Sequence, residues 1–499
     1  MKLKASLLSF IIAVSGTLAA QQPASSSLPP SEHAGHNLQQ PSTLEERIQR
    51  IENGLLPTVV INGQAPAPMK LSERMQHYKV PGVSIAVINH GTIEWARGYG
   101  VKEAGTADRV TASTLFQAAS ISKPVTAMGA LRLVQEGKLK LDEDVNKELK
   151  SWKVPENEFT KEKKVTLREL LSHSAGLTVH GFAGYAAGEP VPSLVQVLNG
   201  EKPANSEPIR VDIPPGSKWR YSGGGYVVTQ QLILDVTGKL FPDFMEQTVL
   251  RPLQMTDSTY QQPLPQALRA QAAAGHRGDG KVIPGKWHTY PEMSAAGLWT
   301  TPTDLANFAI AIQNGKAGKS QTVLSQAMIS QMLTRQIDDW GLGLNLEGKG
   351  RTAHFSHGGA NDGYRCFMVG YDETGQGAVV MTNGDNGGPL AEEIRLAIAH
   401  EYGWSGYQPK EITTVHVDPQ VLAEYVGSYK LPPDQTLTVV QEGDKLLLEA
   451  DGQKFEMVPE SETKFFVLGP DFGVQFVKDE KGKVTSLDIE GGPSAKKVK

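Results

Sequence analysis

The chain has 499 residues, 39% hydrophobic and 21% charged, with a formal net charge of -5. That make-up is globular, with room for two or three domains and sizeable cores, and an acidic balance without a basic run argues against nucleic acid as the main partner. The single cysteine, Cys366, excludes an internal disulfide, so packing alone must hold the fold.

In chain order, Lys2 and Lys4 precede an apolar run from Leu7 to Leu18 and the small residues Thr17, Ala19 and Ala20, the layout of a secretory signal over residues 1–20. The run is short for a bilayer and no cysteine follows it to carry a lipid. An exported chain without a stable membrane anchor is expected, with the periplasm as its address. Residues 21–40 are rich in Gln, Ser, Pro and His without apolar periodicity, as in a flexible leader, and His33 and His36 read as part of that tail rather than as a metal site.

A first folded domain is expected over 41–408. Ser42 and Glu45 read as a capping box, and Leu44, Ile48, Ile51 and Leu55 give the following helix one apolar face. Residues 71–78 form a second helical stretch ending at Pro81-Gly82. Strands at 83–89 and 92–98 then meet at His90-Gly91 as a hairpin. Residues 116–136 read FQAASISKPVTAMGALRLVQE: Pro124 suits a first helical turn, and Val125, Met128, Leu131 and Val134 recur at helical spacing toward Gly137. Ser120 and Lys123 are then neighbours on one helix face. A serine hydroxyl needs a base within hydrogen-bond reach, and a desolvated lysine at a positive helix end can be neutral enough to serve. The same spacing recurs at Ser461 with Lys464 and at Ser494 with Lys497, where no apolar helix follows; alone it equally describes a capping serine beside a solvated lysine.

Residues 137–145 form a polar turn, and a helix over 165–171 stops at Ser172-His173-Ser174-Ala175-Gly176. There His173 reads as a helix-end residue bonded to backbone rather than as a general base. The Gly, Ala and Pro of 178–208 suit a loop covering a site. Trp219, Arg220, Tyr221 and Ser222 then lead into three glycines, Gly223 to Gly225, which permit close backbone approach before a helix over 227–236 closed by Gly238. Tyr221 alone could equally be a core tyrosine with its hydroxyl satisfied. Thr303 or Asp304 is placed to cap a helix running to Ile312. Strands at 341–345, 352–356, 364–371 and 378–383, with turns at Asn361-Asp362-Gly363 and Glu373-Thr374-Gly375, form an antiparallel meander on which a helix over 390–400 packs. Cys366, within a strand, reads as a buried inert thiol. Past 409 the texture changes to short strands at 437–440, 446–449, 455–458, 465–468, 474–477 and 484–489, a separate small β-barrel or curled sheet over 409–499 without a catalytic cluster.

Other chemistries are disfavoured. The chain has no Gly-x-Ser-x-Gly elbow, and Gly318-Lys319-Ser320 lacks the upstream glycine of a phosphate loop. His354 and His357, three apart in a strand, point to opposite faces, so neither a shared metal nor any other cofactor is expected.

Ser120 and Lys123 at a helix start, Tyr221 before a glycine turn, and His357-Gly358-Gly359 at a strand end stand in an order that resembles the serine β-lactamase and penicillin-binding-protein superfamily. Within it the match is to the class C β-lactamase-like branch of D-aminopeptidases, D,D-carboxypeptidases and esterases. LLSHSAGL at 170–177, RPLQM at 251–255 and AAGLWTTPTDLANF at 295–308 support it, and the resemblance spans 71–402. It implies an α/β (α+β) fold, an antiparallel sheet flanked by helices plus a helical subdomain with the site in the cleft between them. By the same resemblance Ser120 is the acylated nucleophile, Lys123 its proton acceptor, and Tyr221 the proton shuttle to the leaving group. The backbone N–H groups of Ser120 and Ala360 form the oxyanion hole, and His357, Gly358, Gly359 and Gly223 lie in the substrate site.

Two departures stand out. Gly223 replaces the amide of the family's Tyr-x-Asn, and Gly358 replaces the hydroxyl of its Lys-Thr-Gly or His-Thr-Gly, which suits an esterase or amidase better than a dedicated β-lactamase. The implied substrates are β-lactams, D-amino-acid peptides, peptidoglycan fragments or short esters. The C-terminal domain resembles lipocalin-like appendages that restrict a cleft or mediate assembly. Two rival readings remain open: a penicillin-binding or regulatory protein of the same fold that does not turn over, and a cell-wall docking protein acting through its C-terminal domain.

Overall fold

The computed structural model describes residues 43–432, 435–450, 453–469 and 471–498. The expected signal and leader, 1–20 and 21–40, lie outside the described residues. The described residues divide into two compact units, one formed by 47–55 with 68–408, the other by 43–46 and 56–67 with those from 409 onward.

The larger unit is built on a six-stranded sheet: β1 (Gly82–Asn89), β2 (Thr92–Gly100), β3 (Asn345–Glu347), β4 (His354–Asn361), β5 (Tyr364–Tyr371) and β6 (Gly377–Thr382), in the order β2-β1-β6-β5-β4-β3. All pairs are antiparallel. The β1–β2 hairpin turns through His90 and Gly91, both at positive φ (51° and 73°), the pairing that a two-residue hairpin turn with the twist of its strands requires. β1 lies inside the sheet, between β2 and β6, and is buried on both faces. Val83, Ile85 and Val87 point to one layer, and Ala86 and Ile88 to the other, following the two-residue strand period.

The first layer is made by α1 (Leu44–Asn53), α2 (Leu71–Tyr78) and, near the end of this unit, the helix Gly387–Glu401, through Ile48, Ile51, Leu71, Met75, Leu390 and Ile394. Thr43 and Glu46 cap α1; Ser42, one half of the box expected with Glu45, lies outside the described residues. Thr43 N donates to Glu46 Oε2 (2.8 Å) and Glu46 N to Thr43 Oγ1 (3.2 Å), one residue later than the spacing alone suggested. The opposite layer holds α3 (Ser122–Gln135), α4 (Gly223–Thr237), α5 (Met293–Ala296) and α6 (Pro302–Lys316) in one continuous core. α6 starts earlier than expected. Thr301, not Thr303 or Asp304, accepts from Asp304 N at 3.1 Å, and Pro302 takes the first turn, where its missing N–H is no loss. The strand expected at 341–345 is instead a turn through Gly341 and Gly343, with pairing beginning only at Asn345.

In the smaller unit Val59–Ile61 pairs in parallel with Lys410–Ile412, tying a segment near the N-terminus to the C-terminal part. Beyond the helix Pro419–Tyr425, eight strands close into an antiparallel barrel: β7 (Gly427–Leu431), β8 (Gln435–Glu442), β9 (Lys445–Ala450), β10 (Gln453–Pro459), β11 (Lys464–Val467), β12 (Phe472–Lys478), β13 (Val484–Ile489) and β14 (Ser494–Lys497). The sequence marked the six middle strands. It missed β7 and β14, lysine-bearing stretches whose only inward side chains are Tyr429, Leu431 and Ala495, yet these two close the barrel through Tyr429 with Lys497 and Lys430 with Lys496. Aromatic side chains fill the interior, with Tyr425 stacked on Phe476 at 4.1 Å and Phe465 edge-on at 5.5 Å, so this is a packed core of the kind small barrels have.

Candidate active site

The site begins where a short strand, Phe116–Gln117, pairs with Trp299–Thr300, and Ala118 N donates to Leu298 O at 2.9 Å. The chain then turns through Ala119, whose φ of 50° is left-handed and costly for a residue with a Cβ. A single 3-10 turn, Ala119–Ile121, leads into α3. Ser122 pins the turn by donating to Ala119 O (2.6 Å) and accepting from Leu298 N (3.0 Å). The AAGLWTT stretch therefore braces the turn that carries Ser120.

Lys123 follows one helical turn on and is 2% exposed. Its Nζ donates to Ser120 Oγ at 2.9 Å and to Ala295 O of α5 at 2.8 Å. Among the described residues no carboxylate offsets its burial, which pulls the ammonium pKa from 10.5 down to about 7. Ser120 itself is only partly covered.

Tyr221 arrives from the other side, just before α4. The three glycines are the first turn of that helix, not a turn ahead of it. Gly223 N donates to His180 O (3.0 Å), Gly224 N to Val179 O (3.1 Å) and Gly225 N to Ser222 Oγ (3.0 Å), satisfying the helix's first orphan donors with loop carbonyls and a capping serine. Gly224 is needed for that approach, since a Cβ there would lie 2.6 Å from Thr178 O, and a Cβ on Gly223 would press on Phe182 Cε2 at 3.0 Å. The loop expected to cover the site thus occupies the volume that a side chain at 223 would need.

His173 holds Tyr221 in three ways. Its carbonyl accepts from Arg220 N (2.8 Å), its Nδ1 accepts from Ser222 N (3.1 Å), and its ring stacks on the phenol at 4.2 Å and 30°. The ring is neutral, because burial first and Lys123 second drive its pKa well below 6.5. His173 is therefore backbone-bonded as its position past a helix suggested, and it is also the brace of Tyr221, which the sequence did not indicate. Lys123 Nζ lies 5.0 Å from the Tyr221 ring centroid. Burial raises the phenol pKa, with a hydrogen bond to Ser120 opposing it.

β4 forms the third wall. A Cβ on Gly359 would stand 2.2 Å from Ala118 O, so glycine is what lets this strand lie against the nucleophile turn. A Cβ on Gly358 would meet nothing nearer than Phe367 Cδ2 at 3.8 Å, so its place is open. β3 pairs with β4 only from His354 to Ser356, leaving the stretch with Gly358 and Ala360, both exposed, as a sheet edge. His357 is buried with Nδ1 2.6 Å from Gly358 O, and burial together with Lys123 lowers its pKa to about 3. His354 packs instead on Tyr371, on the opposite face of β4. Cys366 is buried with Sγ 3.2 Å from Gln117 O and its pKa is pushed up to about 12, an unreactive thiol.

The structure thus brings Ser120, Lys123, Tyr221, His357 and Gly359 together, with Gly358 and Ala360 on the adjoining edge and Gly223 one residue beyond Ser222. Sequence reasoning misses Trp340, which packs edge-on to Tyr221 (6.0 Å) and His357 (5.7 Å), and assigns no role to the exposed Trp219 beside it (5.6 Å). An aromatic directly ahead of Gly341-Leu342-Gly343 was the available signal. Three non-glycine residues at positive φ, Ala119, His173 and Val179, all adjoin the site, where strained backbone tends to concentrate.

Comparison with known proteins bears on the family and the fold. The Beta-lactamase family model matches residues 70–402, and a domain of unknown function, DUF3471, matches 413–497. Penicillin-binding protein 4* of Bacillus subtilis is 24% identical over 434 residues, spanning 82% of this chain and 93% of that protein. Penicillin-binding protein 4 of Amycolatopsis lactamdurans is 26% identical over 328 residues, 62% and 82% of the two chains. Among solved structures, the octameric penicillin-binding protein homologue from Pyrococcus abyssi shares the fold with a TM-score of 0.60 at 22% identity, covering 85% of this chain and 97% of that one. By the match over residues 70–402, the chain belongs to the beta-lactamase family, whose members are generally serine hydrolases.

Proposed function

We propose that this chain hydrolyses amide or ester bonds through an acyl-enzyme on Ser120. One observation carries the reading: a buried lysine without a counter-ion, its pKa lowered to about 7, sits 2.9 Å from a partly accessible serine hydroxyl. Neutral Lys123 takes the Ser120 proton as Oγ attacks the carbonyl. The tetrahedral oxyanion is held by the backbone N–H groups of Ser120 and Ala360, a pair for which the tight packing of β4 on the nucleophile turn gives support. Tyr221 passes the proton to the leaving group, and in the second half-reaction the same groups activate water. His357 cannot act as the acid, since it stays neutral at physiological pH.

The open edge at Gly358 and the filled volume at Gly223 favour short esters or amides over classical β-lactams, while the relatives' names make β-lactams, and the sequence resemblance makes D-amino-acid peptides including peptidoglycan fragments, necessary probes. Export to the periplasm after removal of residues 1–20 is part of the same proposal, on the strength of the N-terminal sequence; N-terminal sequencing of the secreted chain tests it.

Intact mass of the purified protein, followed over time with a reactive ester, a β-lactam and a D-alanyl peptide beside Ser120→Ala, tests the chemistry. Transient adducts with product release support hydrolysis. A persistent adduct identifies a binding protein that does not turn over. No adduct, with no difference from Ser120→Ala, overturns the proposal.

A further inference from the structure

The walls around Ser120 are notable for what they offer a substrate. Trp340 lies edge-on to both Tyr221 and His357, and Trp219, 37% exposed, continues the aromatic surface outward at 5.6 Å. Across the cleft the exposed positions of β4 are Gly358 and Ala360, which carry no hydroxyl, amide or cation. Packing does not explain the glycine at 358, because a side chain there would make only ordinary contacts. His357, the side chain just before that edge, spends its Nδ1–H on Gly358 O at 2.6 Å, and its Nε2 is buried without a hydrogen-bond partner.

We infer that the groups flanking the scissile bond of the substrate are uncharged and apolar or aromatic, and that Trp219, Trp340 and the bare Gly358–Ala360 edge select them. This rests on the acyl-enzyme reading and narrows it. A carboxylate laid on the bare Gly358–Ala360 edge would lose its water without gaining a side-chain cation or hydroxyl there, which is unfavourable, whereas an aryl or alkyl group would bury apolar surface against the two indoles. Lys123 is mostly neutral above its pKa of about 7, and Arg220 beside Tyr221 is already paired with Asp212. His357, and His180 with its pKa lowered by burial, add no charge there.

Three esters separate the possibilities: phenyl phenylacetate, its meta-carboxyphenyl ester, which puts the charge on the leaving group, and phenyl para-carboxyphenylacetate, which puts it on the acyl group. In each, the bond from acyl carbon to Ser120 Oγ forms, the bond to the phenolic oxygen breaks, and the phenol leaves with the serine proton. With the full chain at pH 8, the neutral ester should exceed both anionic ones in kcat/KM by about tenfold or more, the scale on which one mismatched contact discriminates. Gly358→Lys should shrink that ratio toward parity by supplying the missing cation, and Trp219→Ala should shrink it by weakening the neutral ester, mainly through KM.

Either anionic ester hydrolysed as well as the neutral one, with Ser120 acylated by all three, overturns this inference and leaves the hydrolase reading intact. So does an unchanged ratio in both variants. Absence of a Ser120 adduct with every ester overturns the hydrolase reading, and this inference with it.

Discussion

Lys123→Met probes the electrostatic state of the site through the stability of the fold. Lys123 is 2% exposed and its two acceptors, Ser120 Oγ and Ala295 O, are both uncharged. The fall in its pKa from 10.5 to about 7 means that the native state disfavours the ammonium by about 5 kcal/mol, at about 1.4 kcal/mol per unit. The sign follows from the order of the two values, since the unfolded chain keeps this proton up to 10.5 while the native one releases it near 7. Below pH 7 the whole penalty weighs on the fold. Between 7 and 10.5 the unfolded chain binds more protons, so this penalty fades as pH rises.

Methionine removes the charge at similar length but leaves the Ala295 carbonyl without its donor, a loss of about 1–3 kcal/mol. The variant should therefore be about 2–4 kcal/mol more stable than wild type at pH 6, about 1–3 kcal/mol less stable near pH 10.5, and unable to acylate. The seven tryptophans, from Trp95 to Trp404, all lie in the larger unit, so urea titrations followed by indole fluorescence report on that unit rather than on the barrel. A loss of stability of equal size at pH 6 and pH 10 would refute the reasoning, because it would mean that the lysine is a well-solvated or paired cation.

The same pKa predicts that kcat/KM for a neutral ester rises with an apparent pKa near 7 toward an alkaline plateau, since only neutral Lys123 accepts the serine proton; a rate independent of pH between 5.5 and 8.5 would contradict this role. His173→Phe keeps a ring against Tyr221 but leaves Ser222 N–H without an acceptor; kcat should fall by about 10–100-fold with KM nearly unchanged, and His173→Asn, which restores an acceptor, should recover part of it. Equal changes in kcat and in urea midpoint for both variants would reduce His173 to a core residue. Gly359→Ala forces β4 off Ala118 O, so acylation should drop by about 100-fold or more while the circular dichroism spectrum stays native; wild-type kinetics would show that the close approach is not needed.

Much of this protein was decided locally and could be read from the chain. Pro124 and the apolar residues at helical spacing fix α3, so Ser120 and Lys123 had to lie one turn apart. Strand alternation gave β1, β2, β5 and β6 nearly to the residue, and the turn glycines marked the six middle strands of the barrel. These follow from short-range rules of period and turn geometry that a sequence carries explicitly. The ordered motifs added Tyr221 and His357 to the site by resemblance, although more than a hundred residues separate them from each other and from Ser120.

What only the tertiary structure decided depends on contacts between distant segments. Lysine spacing does not say that Lys123 is dry; that comes from α5 placing Ala295 O on its ammonium and from the absence of a carboxylate nearby. His173 looked like a helix-end residue and became the brace of Tyr221 because its backbone and ring both meet the segment from Arg220 to Ser222. Gly223 and Gly358, alike in sequence as missing side chains, differ in space: the first is crowded by Phe182 and His180, the second is open. Barrel closure through Tyr429 and Lys497, and the parallel pairing of Val59–Ile61 with Lys410–Ile412, likewise join segments whose own composition is nearly silent. Period and turn chemistry specify elements, whereas burial, pKa and free space are properties of what other elements bring to a residue, and these decide whether the serine of this family can act.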